Sequence, residues 1–132
     1  MGKKKVLLVD DIEHWREYKK QLEERLDLDI AYDGEQARQL VSDTKYDLVI
    51  VEPRPVDLAG KNPIVNDLRS SRVNFIHSIK NKIPVLVISV STPFYMETYD
   101  LRLYSDYEGF FRKPLSAVDM TVFWDFVERL GS

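Results

Sequence analysis

The chain has 132 residues, 44% of them apolar and 31% charged, enough for one globular domain with its own core and too few for two. There is no cysteine, which excludes a disulfide framework and a thiolate metal site and makes a reducing cytoplasm the natural compartment. Nineteen basic and 22 acidic residues are spread along the chain and leave a net charge of -3, so neither nucleic acid nor a membrane surface is an expected partner.

The apolar runs are short and no signal-peptide pattern opens the sequence, so a soluble protein is expected. Lys3, Lys4 and Lys5 form the single basic run and read as solubilising residues. Met1-Gly2 and Gly131-Ser132 read as flanking additions, as around a domain cut from a longer protein. A single domain over 1–132 is expected, with an ordered core from about 4 to 130.

In chain order, Lys5 to Val9 is a continuous aliphatic run and predicts a strand buried on both faces. Ile12, Trp15, Leu22 and Leu26 then recur at helical spacing among charged residues and predict an amphipathic helix. Leu28 to Tyr32 alternates and predicts a short strand. Asp33 followed by Gln36 resembles a capping box for a helix over 34–42. Asp47 to Val51 is the third strand. Pro53 to Pro63 carries three prolines and Gly60 and reads as a loop.

Val65, Leu68, Arg72, Phe75, Ile76 and Ile79 mark the next helix, ending near Lys82, and Pro84 to Ser89 is a fourth buried strand. A tyrosine-rich segment over 93–107 has helical character. Gly109 to Phe111 is a fifth strand, and Ser116 with Asp119 caps a last helix carrying Val118, Val122, Phe123, Phe126 and Leu130. Five strands alternating with five helices predict an α/β fold, a doubly wound parallel sheet with helices on both faces and right-handed crossovers.

In such sheets the site lies beyond the carboxyl ends of the strands, where strand order reverses. Asp10 and Asp11 follow the first strand, Glu52 the third, Ser89 the fourth and Lys113 the fifth. Three carboxylates, a hydroxyl and an ammonium are therefore expected on one edge. Glycines at 2, 34, 60, 109 and 131 form no phosphate cradle. His14 and His77 have no partner at ligand spacing, and both read as surface residues. A catalytic residue set is not expected, so the chain is not read as an enzyme. A small metal-dependent hydrolase built on the acidic pocket is the weakest alternative.

The segments VLLVDD, DLVIVE, IPVLVIS and FFRKP stand in the order and spacing of the signatures of response-regulator receiver domains, the phospho-accepting modules of two-component signalling. The resemblance spans nearly the whole chain. It implies the flavodoxin-like five-stranded fold, a metal site on Asp10, Asp11 and the main-chain carbonyl of Arg54, and switch and phosphate-site roles for Ser89, Phe110 and Lys113. It also implies a cis bond at Lys113-Pro114. The implied partners are proteins: a histidine kinase, an output domain or a second copy of the chain.

The departure lies at the third strand, where Glu52 occupies the position of the family's phosphorylated aspartate. One added methylene moves the nucleophile, and a misplacement of about 1 Å costs on the order of a hundredfold in rate where geometry supplies the catalysis. Glu52 is therefore expected to be a poor phosphoacceptor and a fixed negative charge, weaker than a phosphate's roughly -1.5 to -2. Expected instead is a pseudo-receiver acting through protein–protein interaction in a two-component or phosphorelay system.

Arg54 sets a guanidinium beside the acidic pocket, where it would replace a cation or point to water; no cofactor is required, and magnesium binding is expected to be weak. Phosphorylation at an unorthodox carboxylate, Asp57 or Asp11, is the alternative. Phe110 reads as half-buried packing, and Phe111, Phe123 and Phe126 as core. Tyr95, Tyr99 and Trp124 are the candidates for an exposed partner face.

Overall fold

In the computed structural model the described residues are 3–10, 16–53, 63–89, 108–112 and 115–130, with side chains of 16, 17 and 63–67 left out of the description. They form strands β1 (Lys4–Val9), β2 (Leu26–Ala31), β3 (Leu48–Val51), β4 (Val85–Ser89) and β5 (Gly109–Arg112), with helices α1 (Arg16–Glu23), α2 (Gly34–Asp43), α3 (Pro63–Ile79) and α4 (Ala117–Arg129). All four strand pairings are parallel, in the order β2-β1-β3-β4-β5. The order reverses between β1 and β3. The expected doubly wound sheet is present; the expected helix over 93–107 lies outside the described residues.

Strict alternation splits the central strands between two cores. Leu7, Val9, Val49, Val51, Val85 and Val87 meet Ala37 of α2 and Val73, Phe75, Ile76 and Ile79 of α3. Val6, Leu8, Leu48, Ile50, Leu86 and Ile88 meet Tyr18 and Leu22 of α1 and Phe123 and Val127 of α4. This explains the unbroken aliphatic runs, since both faces are covered and each fully buried large side chain contributes about 1.5–3 kcal/mol.

The caps follow the sequence closely. Ser116 and Asp119 form the reciprocal box that opens α4. At α2 the Gln36 N–H donates to Asp33 Oδ1 at 2.8 Å, while Gln36 Oε1 accepts from the Tyr32 N–H, one residue before the cap. Gly34 lies so close to α3 that an added Cβ would run into the Ser71 carbonyl oxygen, and its N–H donates to Ser71 Oγ. Only a residue without a Cβ lets the two helices approach this closely.

One boundary and one helix face depart from expectation. Leu26 is the first residue of β2 and not the end of the first helix, because the chain turns at Glu24 and Arg25. On α4 the buried stripe is Phe123 and Val127, while Val118 and Val122 are exposed at 72% and 51%.

At the amino end of the sheet, Lys5 Nζ lies 3.2 Å from both Asp27 and Asp29, and the Tyr46 hydroxyl donates to Asp29 at 2.7 Å. The Tyr46 bond, aided by Lys5, holds the Asp29 carboxyl below its ordinary range. Burial, with the Asp29 hydrogen bond, pushes the Tyr46 hydroxyl up to about 12.

Candidate functional site

The site grows from the last step of each central strand. Asp10 is one residue past β1 and its N–H donates to Ala31 of β2; Glu52 is one residue past β3 and its N–H donates to Val9 of β1. The ladder thus runs one residue beyond the assigned strands and carries two carboxylates into the protein. Asp10 and Glu52 are each only 2% exposed, and Ser89, the last residue of β4, is fully buried. Asp10 and Glu52 flank the reversal between β1 and β3.

The decisive contact joins β3 to β4. Ser89 Oγ donates to Glu52 Oε1 at 2.6 Å, a length typical of a hydroxyl bonded to an ionised carboxylate. Beneath lies Tyr18 of α1. Its hydroxyl is pushed well above its ordinary range, first by burial and then by the negative charges of Asp10 and Glu52. Both carboxylates therefore act on one buried hydroxyl, which stays protonated and able to donate.

Arg72 of α3 closes the site from the opposite side of the sheet. It is fully buried, with Nε donating to the Tyr32 carbonyl at 2.9 Å and Nη1 to the Glu52 carbonyl at 3.0 Å. Its guanidinium also lies 5.4 Å from the centre of the Tyr32 ring. Each such bond to a charged donor contributes about 1.5–3 kcal/mol, and the desolvation of the guanidinium offsets part of that.

Asp10, Glu52 and Ser89 are thus brought together as expected. Phe110 is half-buried against the core on the α2 and α3 side, consistent with a packing residue. Asp11, Arg54, Asp57, Tyr95, Tyr99, Lys113 and Pro114 lie outside the described residues, as does His14; His77 is exposed. Trp124 is half-buried rather than freely displayed. Its ring lies 4.9 Å from that of Phe123 and is covered by the Arg25 guanidinium at 4.1 Å, which also pairs with Glu128.

Tyr18 and Arg72 were not assigned to the site from sequence, although both carried signals. Tyr18 precedes Leu22 by one helical turn, and Arg72 is a charged residue at a core position of its helix.

Oxygen donors such as Asp10 and Glu52 suit a hard divalent cation. Among the described residues, however, no three acidic or imidazole side chains converge as a metal site. The Glu52 carboxylate is moreover engaged by Ser89. The described donors do not by themselves make a cation site. No helix among the described residues is long and apolar enough to cross a membrane.

No protein-family model and no curated protein sequence matches the chain. Solved structures do. A two-component response regulator from Clostridium difficile is 22% identical, with 98% of this chain and 100% of that one covered at a TM-score of 0.70. The receiver domain of a sensor histidine kinase from Pseudomonas aeruginosa, with magnesium coordinated in its active site cleft, is 18% identical over 99% and 100% of the two chains at a TM-score of 0.69. A CheY-like receiver domain from Methylobacillus flagellatus is 14% identical over 96% and 99%, at a TM-score of 0.67. With a reversed parallel sheet, two buried carboxylates at the reversal and these neighbours along nearly its full length, the chain has the flavodoxin-like fold of response-regulator receiver domains.

Proposed function

We propose that the chain is a receiver-like module of a two-component or phosphorelay pathway that is not phosphorylated at Glu52 and signals through protein–protein contact. The observation that carries this reading is the 2.6 Å bond from Ser89 to the buried Glu52 carboxylate. In a receiver, the hydroxyl at this position meets an incoming phosphoryl group. Here it is already satisfied by a side chain of the protein. Glu52 acts as an internal ligand of the switch hydroxyl and sets its position without a phosphoryl donor.

Partners of the kind that such modules meet, a histidine kinase, an output domain or a second copy, follow from the same reading. So does a cytoplasmic location. Magnesium is not required; where it binds, Asp10, Asp11 and the Arg54 carbonyl would hold it weakly and neutralise pocket charge.

The test is incubation with acetyl phosphate and magnesium, followed by intact-mass measurement. The unmutated protein should gain no phosphoryl group. Glu52→Asp, which shortens the side chain and frees the Ser89 hydroxyl, should gain one that is acid-stable and base-labile. An adduct on the unmutated chain, mapped to Asp57 or Asp11, would overturn the proposal in favour of an unorthodox acceptor.

A further inference from the structure

The pairing register places Ala31, Val9 and Val51 side by side, so the next residues on the three adjacent strands are Tyr32, Asp10 and Glu52. Arg72 bonds the first and third of these at their carbonyls, spanning the end of the strand that carries Asp10. A guanidinium has a rigid planar fork, so two acceptors held by one group are held at a fixed separation.

From this we infer that Arg72 is the positioning residue of the carboxyl-edge site: its guanidinium ties β2 to β3 across the end of β1 and thereby fixes where Asp10 and Glu52 stand relative to each other and to Ser89. The inference rests on the site as read above and deepens it, since the pair that substitutes for phosphorylation needs a frame.

Three further observations support a clasp over a merely tolerated buried charge. Both acceptors, the Tyr32 and Glu52 carbonyls, lie one residue past the assigned ends of β2 and β3. The adjacent residue, Ser71, accepts from the N–H of Gly34 at the start of α2, so α3 is docked at this edge through two consecutive residues. Glu52 is gripped from both sides, its N–H by Val9 and its carbonyl by Arg72, and this leaves its side chain little freedom to leave Ser89.

The test compares Arg72→Met, Arg72→Lys and a control on the same helix, Ile79→Ala, by nuclear magnetic resonance and native-state amide exchange. Arg72→Met should shift the carboxyl carbon of Glu52 and the amide of Ser89. It should also speed exchange at the Asp10 and Glu52 amides by about tenfold or more relative to the α3 core, as loss of a charged hydrogen bond predicts. Arg72→Lys, with a point charge that cannot grip two carbonyls, should restore these signals only in part. Ile79→Ala should lower overall stability and leave all four signals in place.

Unchanged Glu52 and Ser89 signals in Arg72→Met, or equal changes in Ile79→Ala, would overturn the assignment. If Arg72→Met does not fold, Arg72→Lys is read by the same criterion. The measurement uses no phosphate donor, so phosphoryl uptake by the unmutated chain would overturn the proposed function without touching this result.

Discussion

Removing the Ser89 hydroxyl should destabilise the protein, and by an amount that depends on the charge of Glu52. The bond is short, at 2.6 Å, and both partners are essentially sealed from water. A hydrogen bond to a charged group contributes about 1.5–3 kcal/mol, and one between neutral groups about 0.5–1.5 kcal/mol. Ser89→Ala should therefore cost about 2 kcal/mol in the unmutated chain. For a domain of this size that corresponds to a fall of roughly 6–10 °C in Tm.

In a Glu52→Gln background the same substitution removes a bond to a neutral amide oxygen and should cost about 1 kcal/mol less. Glu52→Gln alone need not destabilise, because it relieves the desolvation of a carboxylate buried beside Asp10. Urea unfolding of the four proteins yields the coupling directly. With a slope of about 2 kcal/mol/M, 1 kcal/mol corresponds to about 0.5 M in the midpoint. A coupling smaller than about 0.3 kcal/mol, within ordinary additivity, would refute the claim that an ionised Glu52 holds the hydroxyl.

Gly34→Ala should cost about 1–3 kcal/mol, because the new methyl group must push the main chain of Ser71 away; differential scanning calorimetry reads the loss, and an unchanged Tm would contradict the close approach of α2 and α3. The raised Tyr46 hydroxyl stabilises the folded protein fully below pH ~10, where an unfolded tyrosine begins to ionise, and that contribution is lost as pH rises toward about 12. Tyr46→Phe should therefore flatten part of the alkaline fall in Tm between these limits, with Tyr18 accounting for a remainder, whereas an unchanged slope would show that Tyr46 titrates normally.

The strands were legible because each is an aliphatic run covered on both faces, and the carboxyl-edge residues could be named because they are the first polar residues after each run. The boundary between α1 and β2 was not. Leu26 stands four residues after Leu22, so helical spacing continues smoothly into a strand, and no glycine or proline marks the turn at Glu24 and Arg25. On α4 the spacing grouped Val118 and Val122 with Phe123, whereas the sheet covers the stripe through Phe123 and Val127 and leaves the two valines exposed.

Arg72 shows a different limit. Its spacing put it on the buried face of α3, but its acceptors are main-chain carbonyls from strands 40 and 20 residues away in sequence. No side-chain pattern announces a carbonyl. A charged residue at a position that periodicity marks as core is itself the signal that the interior contains an acceptor for it.

The ion cluster of Lys5, Asp27, Asp29 and Tyr46 also governs whether the sheet can grow. β2 is an outer strand of the sheet, and Leu28 and Ile30 are only partly buried against the helices. An outer strand with such residues is a template for another chain, and the usual defence is charge along the edge. Two carboxylates alternate along β2, and Lys5 neutralises them only from the inner, neighbouring strand. A second copy of β2 laid alongside would set aspartates against aspartates with no cation of its own to separate them, so the arrangement that helps to pin β2 in place also guards against edge-to-edge aggregation.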